Sequence, residues 1–280
     1  MDYFSHYADL FIQSTVNASI ALALCGVFFM ALERVRPHKN TSVFGKDFSK
    51  ELWLALLNGS FFSPLFTVFI TFIAIHIVNI GLPRQLFADH ILTWPLPAQI
   101  LAGALIMDFS TYWRHRLMHN RNLWPFHSFH HSAEELTWLT ALRLHPLEIF
   151  IAKIFDIALL HVLGFSETDI VGAVIFMIVY NFFTHANINL EFRGPLKYVF
   201  ALPNFHRWHH ANHKEAYDKN FCAVFSLLDV VFGTYYFPAG TVPKVYGLMP
   251  QEQKAVPKGL AAHLWLPFKT VVNRYKKKKN

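Results

Sequence analysis

Cysteine is nearly missing from this chain. Only Cys25 and Cys222 occur, and neither falls in a CxxC or any other metal-ligand spacing. That excludes a disulfide framework, an iron–sulfur run and a thiolate zinc site. Charge is scarce too: Asp, Glu, Lys and Arg make up 15% of the residues, against about 25% in a soluble domain. GxGxxG after a strand, GxSxG, GxxxxGK[ST] and CxxCH are all absent. A nucleotide-binding fold, a serine nucleophile, a phosphate loop and a covalently attached haem are therefore not indicated, nor is a fused b-type cytochrome visible. The net charge of +7 lies toward the end, where five of the last seven residues (Arg274 and Lys276 to Lys279) are basic. Beside long apolar stretches, such a tail marks a cytoplasmic membrane face rather than nucleic-acid binding.

What is present is apolar. Hydrophobic residues make up 54% of the 280, and Phe alone occurs 29 times. This composition predicts an all-α protein, a multi-span integral membrane helical bundle forming one domain over 1–280 without repeats. Apolar stretches run from about residue 17 to 32, 52 to 80 and 96 to 113. Two more, 146–165 and 170–183, either cross or form a hairpin that enters without crossing. Lys153 and Asp156 interrupt the fourth at i,i+3 spacing and are expected to pair toward the bundle interior. Bases follow the first stretch rather than preceding it, which is the wrong polarity for a signal peptide. Segments 34–51, 114–145 and 187–280 hold 5, 4 and 14 Lys plus Arg, whereas 1–16, 81–95 and 166–169 hold 0, 1 and 0. The positive-inside bias then places the first group in the cytoplasm. The run FCAVFSLLDVVFGTYYF (221–237) reads as a short helix lying against the bundle or the membrane interface.

The chain holds 17 histidines, eleven of them from His115 to His210. His115 and His119 form HxxxH, with Asp108 and Tyr112 extending the same helical stripe. His127, His130 and His131 form HxxHH, and His206, His209 and His210 repeat it. His185 follows the fifth apolar stretch, with Asn181 and Asn189 one turn to either side. At this histidine frequency, HxxHH is expected about 0.06 times by chance. His76 and His161, isolated on apolar stretches, read as hydrogen-bonded core residues. A pH sensor would leave nine facing cations without carboxylates in register. Metal coordination explains both number and spacing, because neutral imidazole is a good donor to divalent transition metals. Nine or ten ligands exceed the four of one structural zinc and suit two ions with open positions. Imidazole alone does not separate iron, zinc and copper. Redox-active ions beside apolar walls suit oxidation of a greasy substrate, whereas zinc has no redox chemistry.

The stretches DFSTYWRHRLMH, LWPFHSFHHS, TALRLHPLE, FTHANI, PNFHRWHH, DKNF and DVVFGTY, spanning 108–236, resemble the fatty acid hydroxylase/sterol desaturase superfamily of membrane di-iron enzymes. Residues 1–107 match only as apolar spans. The resemblance implies iron ligands at His115, His119, His127, His130, His131, His185, His206, His209 and His210. It leaves His145 as a further ligand or the partner of one. Some members carry a histidine where this chain has Asn189, so water or the Asn amide oxygen would stand there. Asp108, Asp218 and Asn220 are candidates to hold the free ring nitrogens of ligands. The implied chemistry is dioxygen-dependent hydroxylation or desaturation of a lipid at two iron ions, with hydroxylation favoured. Electrons would come from a separate reductase or small carrier. Arg114, Arg116, Arg121, Arg143, Arg193, Arg207 and Lys214 are available either to dock an acidic carrier or to contact headgroups. The expected partners are a membrane, a lipid substrate and the electron donor, with no nucleic acid. A bacterial inner membrane is favoured, or the endoplasmic reticulum if the source is eukaryotic, with the metal site on the cytoplasmic side. The principal rival is a zinc-dependent membrane hydrolase or isomerase acting on a lipid. A metal transporter would need ligands strung along the spans, and a non-catalytic lipid binder would have no use for intact histidine motifs.

Overall fold

The computed structural model describes residues 3–40, 44, 45, 47–79, 87–238, 240–256 and 259–279. Lys46, Arg84 and the side chains of His76 and Lys277 to Lys279 lie outside the described residues. The described residues are helical and irregular, with isolated bridges Pro37–Ile188 and Ala211–Tyr246 but no strand.

A long helix, α1 (Tyr3–Val35), leads the chain. Helix α2 (Phe48–Leu57) runs through a π turn (Asn58–Phe62) into α3 (Ser63–Asn79). A short α4 (Ala88–Ile91) precedes α5 (Leu96–Met118). The fourth apolar stretch is α7 (Pro146–Lys153), a second π turn (Ile154–Ala158) and α8 (Leu159–Leu163). Gly164, at φ 101°, closes α8 in the left-handed region that glycine takes at no steric cost. Ser166 then caps α9 (Glu167–His185), trading hydrogen bonds with Asp169. Between and after these lie α6 (Trp124–His131), α10 (Pro203–His209), α11 (Leu227–Val231), α12 (Pro250–Ala255) and α13 (Leu260–Lys279).

Three of these helical runs are long and apolar enough to cross a membrane: Ser5–Val35, Phe48–Ile73 and Glu167–His185. The other two predicted stretches fall short for a physical reason. Helix α5 carries Gln99, Asp108 and a polar last turn with Arg114, His115 and Arg116, and 146–163 carries Glu148, Lys153 and Asp156. Both nevertheless pack into the bundle. Helices α5 and α9 come close because Gly103 and Gly172 lack side chains: a Cβ on Gly103 would lie 3.1 Å from Ala173 Cβ, and one on Gly172 2.7 Å from Ile100 Cδ1. Ala104, Met107, Leu160, Phe165, Ala173 and Met177 fill that core. A second core joins Phe29 of α1, Ala55 of α2, Trp138 and Leu139, and Phe182 of α9. The outer faces remain apolar, with Leu24, Val27 and Phe28 of α1 and Val171 and Ile175 of α9 more than half exposed. A lipid-facing helix has that surface, since no water is there to penalise it.

The stretch 221–237 departs from expectation. Only Leu227–Val231 is helical. Two buried carboxylates claim the amides that a longer helix would have used. Asp108 accepts from the backbone N–H of Ala223, Val224 and Phe225 at 2.8, 3.1 and 2.6 Å. Asp229 accepts from Phe221 and Cys222 N–H and from the Thr234 hydroxyl. Asn220, at φ 60°, bonds Phe205 and Tyr236 backbone atoms and holds the turn that precedes them. The strip thus drapes over the cytoplasm-predicted end of α5, with its carbonyls facing the histidines.

Candidate metal centre

Four short pieces carry the histidines. His115 lies in the last turn of α5 and His119 is its C-cap. His127, His130 and His131 fill α6, and His206 and His209 sit on α10 with His210 as its C-cap. His185 ends α9. Helices α6 and α10 have only eight and seven residues, and each opens with proline in its first turn, where the missing N–H costs nothing. Alone such helices are too short to be stable, so tertiary bonds must hold them. Buried Arg143 does so for α6, donating from Nε to Phe129 O (2.9 Å) and from Nη2 to Ser132 Oγ (2.7 Å). Buried Arg207 ties α10 to the end of α9 through Ala186 O (2.6 Å).

All nine predicted ligands converge, and they divide into two groups. In one, ring nitrogens of His115, His119, His127, His131 and His209 lie within 4.8 Å of one another; the other holds His130, His185, His206 and His210. The sequence pattern explains the division. Residues four apart share a helical face, so 115 with 119, 127 with 131, and 206 with 210 stay together. The middle histidine of each HxxHH turns to the other group, His130 away from His131 and His209 away from His210. The groups adjoin: His131 stacks on His210 with ring centroids 4.6 Å apart, and His130 meets His210 at the same separation.

The nitrogens themselves test whether metal fits. His115 Nε2 lies 3.1 Å from His127 Nε2, which lies 3.2 Å from His131 Nε2. His185 Nε2 lies 3.2, 3.0 and 3.3 Å from Nε2 of His130, His206 and His210. Two nitrogens each about 2.1 Å from one ion and at right angles to it are about 3.0 Å apart. The opposite side of the rings fixes their protons. Nδ1 donates to Phe221 O from His115 (2.8 Å), to Asn181 O from His185 (2.8 Å) and to Lys219 O from His209 (2.7 Å). A carbonyl can only accept, so in these rings Nε2 is the bare lone pair. Lone pairs facing each other at this range repel unless a cation lies between them. Buried Nε2 atoms of His119 and His209 have no hydrogen-bond partner at all. Burial, reinforced by neighbouring imidazoles, holds His127, His130, His131, His206, His209 and His210 well below the ordinary imidazole value. They are neutral at pH 7 and ready to donate to a metal. The residues present fit two ions.

Of the other sequence candidates, Asp218 meets His119 Nδ1 at 3.2 Å, and this bond holds its carboxyl below the usual range. Asp108 and Asn220 make no hydrogen bond to a histidine among the described residues; they fix the draped strip and the turn before it, where the Lys219 and Phe221 carbonyls in turn hold His209 and His115. Asn189 bonds Asn204 rather than facing a ring nitrogen. His145 stands apart, its Nε2 on Leu264 O and its Nδ1 accepting from Leu147 N–H as the cap of α7. Arg143 and Arg207 are buried and cannot dock a carrier, while Arg116, Arg121, Arg193 and Lys214 are exposed.

Sequence reasoning missed one group. Glu148 Oε2 accepts from His127 Nδ1 at 2.6 Å, while its Oε1 closes the capping box on His145 N–H at 3.2 Å. The signal was there in HPLE: a cap residue, proline, and Glu at the third helical position. Glu148→Gln is expected to weaken metal binding at the His127 group about tenfold, read by chelator competition. Unchanged affinity would remove Glu148 from the centre.

Two openings flank the site. A cavity of ≈ 450 Å³ runs between α1, the first π turn, α5, α7 and α9, reaching His115, His127, His130, His185 and His206 at one end. Its walls are mostly apolar: Ala21, Leu22, Met107, Leu142, Ile149, Val174, Ile178 and Phe182 among them. On the opposite side, a more polar pocket of ≈ 290 Å³ is lined by His119, His131, His209 and His210 with Arg121, Tyr217, Asp218 and Glu252.

Ornithine lipid hydroxylase OlsE of Rhizobium tropici is 33% identical over 182 residues, 62% of this chain and 52% of that protein. Human alkylglycerol monooxygenase is 34% identical over 158 residues, 56% of this chain and 34% of that one. The very-long-chain aldehyde decarbonylase GL1-6 of Oryza sativa subsp. indica is 24% identical over 178 residues, 60% of this chain and 27% of that one. The match therefore spans about half or less of these curated relatives' length. No solved structure matches. The family model described as fatty acid hydroxylase matches residues 100–234.

Proposed function

We propose that this chain is a membrane-embedded enzyme that oxidises a C–H bond of a lipid, with hydroxylation favoured over desaturation, at two iron ions and with dioxygen as co-substrate. The observation that carries the reading is the convergence of nine neutral imidazoles, in groups of five and four, at the end of an apolar cavity. The relatives named for lipid hydroxylation and alkylglycerol monooxygenation support the same class of chemistry. His115, His119, His127, His131 and His209 would hold one ion, and His130, His185, His206 and His210 the other. When bound, such a pair supplies the redox activation of dioxygen that zinc lacks.

The chain's own residues do the rest. The carbonyls of Phe221, Asn181 and Lys219 keep protons on Nδ1 and lone pairs aimed inward. Glu148 holds the Nδ1 proton of His127 and fixes that ring's orientation. Apolar walls admit an acyl or alkyl chain and exclude water from the reacting carbon. Electrons come from a separate reductase or small carrier, with exposed Arg116, Arg121 and Lys214 available to an acidic one. Residues 1–280 form one membrane domain, the motif region is 108–236, and the metal end faces the cytoplasm, most simply of a bacterial inner membrane. The test is lipid mass spectrometry of cells with and without the gene under labelled oxygen gas. One heavy oxygen atom in a lipid found only in gene-bearing cells is the expected result. Unlabelled product, or turnover without oxygen or reductant, would instead point to a zinc hydrolase or isomerase.

A further inference from the structure

The apolar cavity contains a charged cluster that the metal centre does not use. Lys153 and Asp156, both 9% exposed, and the Arg114 side chain, 18% exposed, all line it. Asp156 Oδ2 lies 3.7 Å from Arg114 Nη2, and Arg114 Nη2 also donates to Thr111 Oγ1 at 3.0 Å. These bonds leave capacity unused. Arg114 Nε and Asp156 Oδ1 are buried without a hydrogen-bond partner, and no hydrogen bond holds the Lys153 ammonium among the described residues. Glu148, the neighbouring carboxylate, is committed to His127 and His145. Two cations and a carboxylate with hydrogen-bonding capacity left over therefore face the cavity. Burying charged groups that are not fully hydrogen-bonded is costly, and in a membrane bundle such groups mark a ligand site.

The backbone points the same way. A π turn begins directly after Lys153 and contains Asp156. The other π turn, starting at Asn58, lines the same cavity with Asn58 and Gly59. Such turns re-aim side chains at the cost of hydrogen-bond geometry, and they recur where function demands it. Arg114 immediately precedes His115, so the cluster lies at the metal end of the cavity.

We infer that Lys153 and Arg114 bind an anionic oxygen group of the lipid, a carboxylate or a phosphate, with Asp156 as the counter-charge that keeps the site paired when it is empty. The inference rests on the reading of this cavity as the lipid site. It deepens that reading by choosing anionic lipids over neutral ones and by placing the anionic group at the metal end of the cavity.

The test uses binding alone, so it stands whatever metal the protein holds. The full-length protein in lipid nanodiscs is titrated with a fluorescent polyene fatty acid, with its methyl ester, and with a lysophosphatidic acid as competitor. Wild type is expected to prefer the fatty acid, the lysophosphatidic acid or both over the ester by roughly tenfold, the range of one charge-assisted contact. The two anionic probes tell carboxylate from phosphate. Lys153→Met should bring the preference within about twofold at unchanged ester affinity, and Lys153→Arg should retain it. Asp156→Asn, which removes the competing charge, should tighten anion binding. Equal affinity for ester and anions in wild type, or full preference surviving in Lys153→Met, overturns the inference while leaving the lipid cavity in place. Failure of every probe, the ester included, removes the cavity reading and the inference with it.

Discussion

Replacing His130 or His209 by alanine is expected to remove about one metal ion per chain and to lower turnover by about a thousandfold or more. The two positions are chosen because they belong to different groups. His130 Nε2 sits 3.2 Å from His185 Nε2 in the group of four, and losing it leaves three ligands. His209 belongs to the group of five, where its bare Nε2 has no partner but an ion would give it one. The alanine variants should keep their fold, because α6 and α10 are tied by Arg143 and Arg207, which are left in place. Metal analysis and turnover are measured on the same preparation. If activity survives both replacements, the assigned ligand set is wrong. Loss of activity with both ions retained would show that the rings act on substrate instead.

Ala152→Phe should separate the cavity from the metal. Ala152 lines the space between α7 and α9 and is only half-buried, so a benzyl group can enter the ≈ 450 Å³ cavity without displacing the core. A lipid chain would then be held off its reactive position, and a displacement of about 1 Å costs roughly a hundredfold in rate. Metal content should remain at the wild-type level. Turnover unchanged in this variant would place the substrate elsewhere, with the open groove along Phe28, Phe29, Ile175 and Phe176 the next to block.

Much of the site is legible in the histidine pattern alone. HxxxH and HxxHH are local: offsets of three and four on a helix place rings on neighbouring faces whatever the rest of the fold does. What spacing could not show was which pairs from different helices join, 115 and 119 with 127 and 131 rather than with 206 and 210. That depends on how α6 and α10 lie against α5 and α9, which is tertiary. The partners of Nδ1 were hidden for a related reason. Three of them are backbone carbonyls, of Phe221, Asn181 and Lys219, and a carbonyl leaves no mark on a sequence. Asp108 and Asn220 stand out as polar groups inside an apolar chain, but they work on the backbone of 220–225, beside the Lys219 and Phe221 carbonyls. The strip 221–237 misleads because its composition suits a helix, while Asp108, more than a hundred residues away, takes its amides. The five longer apolar runs were legible as helices. Which of them suffice to span was decided by interior polar residues such as Asp108, Lys153 and Asp156, and these belong to the cavity and the draped strip rather than to the lipid face.

The central claim is that distant imidazoles surround a pair of redox ions. The most direct measurement is elemental analysis of the purified full-length protein after growth with iron and zinc both supplied, with iron counted per chain. The account predicts about two irons per chain, nine imidazoles being enough for two ions with open positions. One tightly held zinc and no iron would contradict it.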